Sequence, residues 1–159
     1  MLTRAETDDV WKHMLEAEVR AYYFGDLATS YAKQKQILTF LTFFLASGAA
    51  ATLVAQLPSW VPMGLSGVTA LLTSYSIAIG LDRKAVSMSK LHAQWMQIAQ
   101  GYQHLWHHAY EADAGETFST LLARGAQASE AATLDAPYLP ARVAHWAEHV
   151  YAQYRAVAA

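Results

Sequence analysis

The chain has no cysteine among its 159 residues. That excludes a disulfide framework, a thiolate nucleophile and a thiolate metal site, and it fits a reducing compartment. Proline is scarce: four in all, the first at Pro58, and none between Pro62 and Pro137, so long helices can run uninterrupted on both sides of the Pro58–Pro62 segment. No glycine-rich phosphate loop, G-x-S-x-G elbow or H-E-x-x-H box is present, which removes the usual signatures of nucleotide hydrolysis, serine hydrolysis and zinc proteolysis. The largest absence is of charge. From Gln36 to Leu81, 46 residues, there is no Asp, Glu, Lys, Arg or His.

A bilayer core about 30 Å thick is crossed by a helix of roughly 20 apolar residues. Ile37 to Leu57 supplies 21 and Trp60 to Leu81 supplies 22, with Pro58-Ser59-Trp60-Val61-Pro62 between them as a turn. The stretch therefore predicts two membrane-spanning helices joined as a hairpin; the alternative is a buried helical hairpin inside a soluble bundle. The apolar run follows a charged, helix-patterned segment and no short basic leader opens the chain, which argues against a signal peptide. Lys33 and Lys35 precede the first span, Arg83, Lys84 and Lys90 follow the second, and the turn is uncharged. By the positive-inside tendency both termini are expected in the cytoplasm. A net charge of -2 says little about partners.

The expected fold class is all-α: a membrane hairpin with long helical extensions forming a cytoplasmic layer. Residues 1–35 read as an amphipathic helix, 36–57 as the first span, 58–62 as the turn, 60–81 as the second span, 82–112 as a helical extension and 113–159 as a C-terminal helical segment. Trp11, Leu15, Val19, Tyr22, Tyr23, Leu27 and Tyr31 recur at spacings of three and four, one apolar face of a helix. Gly25 is a candidate bend. The second span is expected to run on as a helix whose Leu91, Trp95, Ile98, Tyr102, Leu105 and Ala109 form a heptad-like seam that needs a partner helix. Asp113-Ala114-Gly115 breaks the pattern; an alanine-rich helix is expected from Glu116 to about Ala132. A last helix after Pro137 and Pro140 has Val143, Trp146, Ala147, Val150, Tyr154 and Val157 on its apolar face.

Within the second span Ser66, Thr69, Thr73 and Ser76 fall on one narrow arc, extended by Gly80 and Ser87, while Val61, Val68, Leu71, Leu72, Tyr75 and Ile79 lie opposite. Small and hydroxyl residues serve close helix packing in membranes, and the first span offers Thr39, Thr42, Ala46, Ala49 and Ala50 to match. The same stripe could instead line a water-filled pore assembled from several subunits. The absence of an ionisable group in either span argues against a pump or proton-coupled transporter. Asp82 and Arg83 stand where a cytoplasmic pore mouth or gate would be.

Seven histidines include His104-x-x-His107-His108 and His145-x-x-x-His149, spacings that in membrane hydroxylases converge on metal. Here they lie opposite the apolar seams and are expected to face solvent or a partner. No metal, no cofactor and no enzymatic activity is expected.

The layout then resembles a known family. Glu18-Val19-Arg20-Ala21-Tyr22-Tyr23-Phe24, the basic Lys33-Gln34-Lys35 stop, two short-linked spans, and Lys90, His92, Trp95 and Tyr102 in the helix that follows resemble the SLATT family, two-transmembrane effector domains associated with bacterial nucleotidyltransferase and nucleotide-sensor systems. The resemblance covers about residues 10–110. It implies an inner-membrane, homo-oligomeric, pore-forming effector of antiphage defence, opened by a nucleotide or oligonucleotide signal from a partner nucleotidyltransferase and causing depolarisation and growth arrest. It supplies no catalytic residues. A signal of that kind needs cations, and Arg83, Lys84, Lys90, Arg124 and Arg142 are the candidates. The rival expectation is a non-conducting membrane anchor presenting a helical docking surface; a histidine-dependent membrane metalloenzyme is a third.

Overall fold

The computed structural model describes residues 1–47 and 60–158. It is all-α: helices α1 (Arg4–Ala46), α2 (Trp60–Ile79), α3 (Leu81–His107), α4 (Ala114–Asp135) and α5 (Pro140–Ala158), with no strand among the described residues. The chain divides into two compact units, one of Met1–Leu27 with Ser87–Ala159, the other of Ala28–Val86.

The first unit is a four-helix bundle. Its α1 portion buries Val10, Met14, Ala17, Ala21 and Phe24, and the α3 seam Leu91, Trp95, Ile98, Tyr102, Leu105 is buried throughout. The predicted seam thus finds its partner within the chain. α4 contributes Ala114, Leu121 and Ala128, one residue every seven, small enough at two of three positions for close helix approach. Gly101 is the point of closest fit: a Cβ there would come 2.6 Å from Leu121 Cδ2. α5 docks through buried Val150 and half-buried Trp146 and Tyr154. Tyr22 stacks on Trp146 at 5.4 Å, and Trp11 meets both Trp106 and Tyr154.

The helix ends have local causes. Thr3 and Glu6 form a reciprocal capping box at the start of α1: Thr3 N–H donates to Glu6 Oε2 at 2.7 Å, and Glu6 N–H to Thr3 Oγ1 at 3.3 Å. The Thr3 N–H, and then the Thr3 hydroxyl donating to Glu6 Oε2 at 2.8 Å, hold the Glu6 carboxyl below its ordinary pKa. Buried Tyr23 ties down the α4–α5 turn, its hydroxyl donating to Pro137 O and accepting from Leu139 N–H at 3.2 Å.

Four boundaries differ from expectation. α1 is one helix from Arg4 to Ala46, so the amphipathic segment and the start of the apolar stretch are continuous and Lys33-Gln34-Lys35 lies mid-helix. Local hydrogen bonding continues wherever proline and glycine breaks are absent, regardless of the change in polarity. Gly25 is not a break but a close approach: a Cβ would lie 3.0 Å from His92 Nδ1, whose N–H donates to Ala21 O at 2.7 Å. The second span does not run on unbroken. Gly80, at φ +61°, occupies the left-handed region that favours glycine and separates α2 from α3. Finally, α4 is longer than its expected span of Glu116 to about Ala132, and residues 113–159 share a compact unit with residues 1–27.

The second unit holds the uncharged stretch. Lys35, immediately before it, pairs with Asp82, immediately after it, at 2.5 Å, so its two ends meet. Among the described residues no helix is long and apolar enough to cross a membrane. The expected turn at Pro58 and Ser59, the small residues Ala49 and Ala50, and the first span from Gly48 to Leu57 lie outside the described residues.

Candidate functional site

Within the unit Ala28–Val86, α2 carries the hydroxyl stripe. Thr69 and Ser76 are half-buried together with Leu72 and Ile79, whereas Ser66 and Thr73 are exposed. The stripe is therefore split. The covered face of α2 alternates hydroxyl and aliphatic residues at spacings of three, four and three, and the other two hydroxyls lie outside it. Thr73 Oγ1 donates to Thr69 O at 2.9 Å, and on α1 Thr42 Oγ1 donates to Leu38 O at 2.8 Å. A threonine hydroxyl bonded to the preceding turn needs no water. These two hydroxyls are satisfied within their own helices.

Beside those hydroxyls and the charged ends, this unit exposes many large apolar side chains. Ile37, Phe40, Phe43 and Phe44 on α1, and Leu71, Tyr75 and Ile77 on α2, are each more than half exposed; Leu41 and Val68 add to them. Isolated exposed hydrophobics need no explanation, but nine on two helices of one small unit call for one. No polar residue alternates among Phe40, Leu41, Phe43 and Phe44 except Thr42, itself bonded to the helix.

The two charges named for a pore mouth have different surroundings. Asp82 is neutralised by Lys35; Arg83 and Lys84 are exposed in the same unit. In the bundle, Arg142 Nη1 lies 3.1 Å from Asp26 Oδ2, so its charge is already matched. Lys90 is exposed. Arg124 lines a cleft between α3 and α4 with Gln94, Gln97 and Gln127. Of the three candidate cations in the bundle, Arg124 alone lines this cleft. Those three glutamines were not foreseen, although Gln94/Gln97 and Arg124/Gln127 are spaced one turn apart on their helices.

The histidines that flank the seams face outward: His104, His107, His145 and His149 are exposed. His108 stacks on His104 at 4.1 Å and donates from Nδ1 to His104 O at 2.8 Å. His149 meets Tyr22 and Trp146 edge-on. Among the described residues no three His, Asp or Glu side chains come together to hold a metal ion.

Two tyrosines have shifted ionisation. Burial pushes the Tyr102 phenol up to about 12, helped by nearby Glu16. Tyr154 also rises to about 12, first from burial and then because its hydroxyl donates to Glu18 Oε2 at 2.8 Å. Several of the residues behind the family resemblance have structural partners within the bundle. Glu18 receives Tyr154, Arg20 lies 4.6 Å over the Trp95 ring and donates to Ser129 Oγ at 2.8 Å, and Tyr23, Phe24, Trp95 and Tyr102 are buried.

No known protein family, curated protein or solved structure matches this chain.

Proposed function

We propose that the unit Ala28–Val86 inserts into a bilayer as a two-helix hairpin and that copies of the chain assemble there into a passive pore. The observation that carries this reading is the exposed apolar surface of Ile37, Phe40, Phe43, Phe44, Leu71, Tyr75 and Ile77 on a stretch without a single ionisable side chain. Burying such side chains is worth about 1.5–3 kcal/mol each, and lipid can cover them on every side. The Lys35–Asp82 pair supports a hairpin that enters and leaves at the same level, and the basic residues beside it favour a cytoplasmic location for both ends. The segment Gly48–Ser59, which would complete the first span and the turn, is apolar throughout apart from small polar residues, with Gln56 the largest of them.

Two helices cannot enclose an aqueous path, so conduction requires oligomers. Ser66 and Thr73, exposed on the single chain, are available to line the path, with Thr69 and Ser76 behind them. Opening would depolarise the membrane, the effector role that the SLATT resemblance implies in bacterial defence. A second reading, a non-conducting anchor, is favoured by the threonine hydroxyls that bond to their own helix and need no water.

The test is controlled expression in bacteria with a membrane-potential dye, comparing wild type, Thr73→Leu, and a chain whose residues 36–81 are replaced by a generic leucine-rich hairpin. The pore reading expects depolarisation by wild type and its loss in both variants. Depolarisation that survives the generic hairpin, or an electrically silent wild type that still arrests growth, refutes conduction through α2 and leaves the anchor.

A further inference from the structure

We infer that the cleft between α3 and α4 is a binding site for a small organic anion with a planar hydrogen-bonding edge, a ligand of nucleoside monophosphate size and chemistry. The cleft has a volume of about 390 Å³ and is lined by Gln94, Gln97, Ile98, Arg124, Gln127, Ala128 and Ala131. It belongs wholly to the bundle unit and does not depend on the membrane reading.

Its position follows from how α3 and α4 are fastened. The helices run antiparallel, and at one end Gly101 admits the Leu121 side chain so closely that a Cβ would come 2.6 Å from Leu121 Cδ2 and force that side chain to shift. At the other end Ser87 Oγ donates to Asp135 Oδ2 at 2.7 Å. Between these two fastenings, small Ala128 and Ala131 on α4 face the level of Gln94 and Ile98 on α3, and too little side-chain volume is present to fill the gap. The cleft is thus held open by contacts at both ends, which lowers the ordering cost of filling it.

The lining chemistry selects the ligand. Arg124 makes no ion pair or hydrogen bond among the described residues, unlike Arg20 and Arg142, which are engaged with Ser129 and Asp26. No Asp or Glu lines the cleft, so an entering anion meets one unmatched guanidinium, whose planar fork suits a phosphate or carboxylate. The three glutamine carboxamides, also without partners among the described residues, each offer a donor beside an acceptor. That paired pattern matches the edge of a purine or pyrimidine. Buried Ile98 and Ala128 form an apolar floor against which a flat ring can lie. A volume near the lower end of small-molecule pockets, about 300–1,000 Å³, excludes large polyanions from full burial.

The experiment is calorimetric titration of the purified full-length chain in detergent with AMP, GMP, adenosine and inorganic phosphate, at fixed ionic strength. The expected result is saturable binding of at least one monophosphate, at least tenfold tighter than adenosine or phosphate alone. Arg124→Gln should weaken it about tenfold or more and Gln97→Leu severalfold, while Arg155→Gln, at an exposed cation on α5 outside the cleft, should leave it unchanged. Arg124 and Gln97 are exposed and unpartnered, so both variants should retain the wild-type melting temperature. Absence of saturable binding by either monophosphate overturns the site. Equal affinity for AMP and inorganic phosphate overturns the planar-edge assignment, and equal weakening by Arg155→Gln shows a diffuse charge effect instead of a cleft.

Discussion

Replacing Tyr23 with phenylalanine tests how the last two helices are held to the first. The Tyr23 ring is 5% exposed, and its hydroxyl serves two backbone groups of the α4–α5 connection, Pro137 O and Leu139 N–H. Phenylalanine keeps the ring and removes both bonds without leaving a cavity. Each such bond contributes about 0.5–1.5 kcal/mol net. Pro137 and Leu139 are themselves exposed, so water can reach the released backbone groups and the upper end of that range does not apply. The expected loss is about 1–2 kcal/mol, and for a domain of about 100 residues this lowers Tm by roughly 5–10 °C. Circular dichroism melting of the full chain in detergent reads the shift, and amide exchange at Leu139 should accelerate in parallel. Tyr22→Phe is the control: its ring stacks on Trp146, its hydroxyl makes no hydrogen bond among the described residues, and its effect should stay within about 0.5 kcal/mol. If Tyr23→Phe melts like wild type with unchanged Leu139 exchange, the hydroxyl does not hold the turn and α5 is fastened by its apolar face alone.

Gly101→Ala places a methyl 2.6 Å from Leu121 Cδ2. Overpacking of about 1–3 kcal/mol should outweigh the roughly 1 kcal/mol that alanine gains in a helix, whereas in a Leu121→Ala background the same change should become stabilising; a double-mutant melting cycle reads the reversal. Phenolate absorbance during base titration should show Tyr102 and Tyr154 ionising near 12, above the ordinary 10. Because the folded values are raised, the stability these groups contribute is complete below pH 10 and is lost as pH rises from there through 12. Tyr154→Phe should remove one late-titrating group, and the full tyrosine complement ionising near 10 in the folded protein would contradict the buried geometry.

Much of the bundle was legible because its signal is periodic. The spacing of Leu91, Trp95, Ile98, Tyr102 and Leu105 specifies one face of a helix whatever covers it, and every one of these residues is buried. The outward position of His104, His107, His145 and His149 follows from the same periodicity read on the opposite side. What escaped the pattern were features that depend on a second segment. Gly25 looks like a bend until His92 is seen against it. Arg142 looks like a free cation until Asp26 is brought to 3.1 Å. Gln94, Gln97 and Gln127 are unremarkable polar residues until two helices place them around one cleft.

The amino-acid sequence by itself determined the helical class, the faces of the bundle helices and the 46-residue interval without charge, because each depends on local hydrogen bonding or on the order of polar and apolar side chains. The tertiary structure decided that the seam of α3 is covered from within the chain, that Lys35 and Asp82 close the uncharged stretch, and that Arg124 stands unmatched in a polar cleft. Those properties arise from distances between residues far apart in the chain, and helical periodicity carries no information about them.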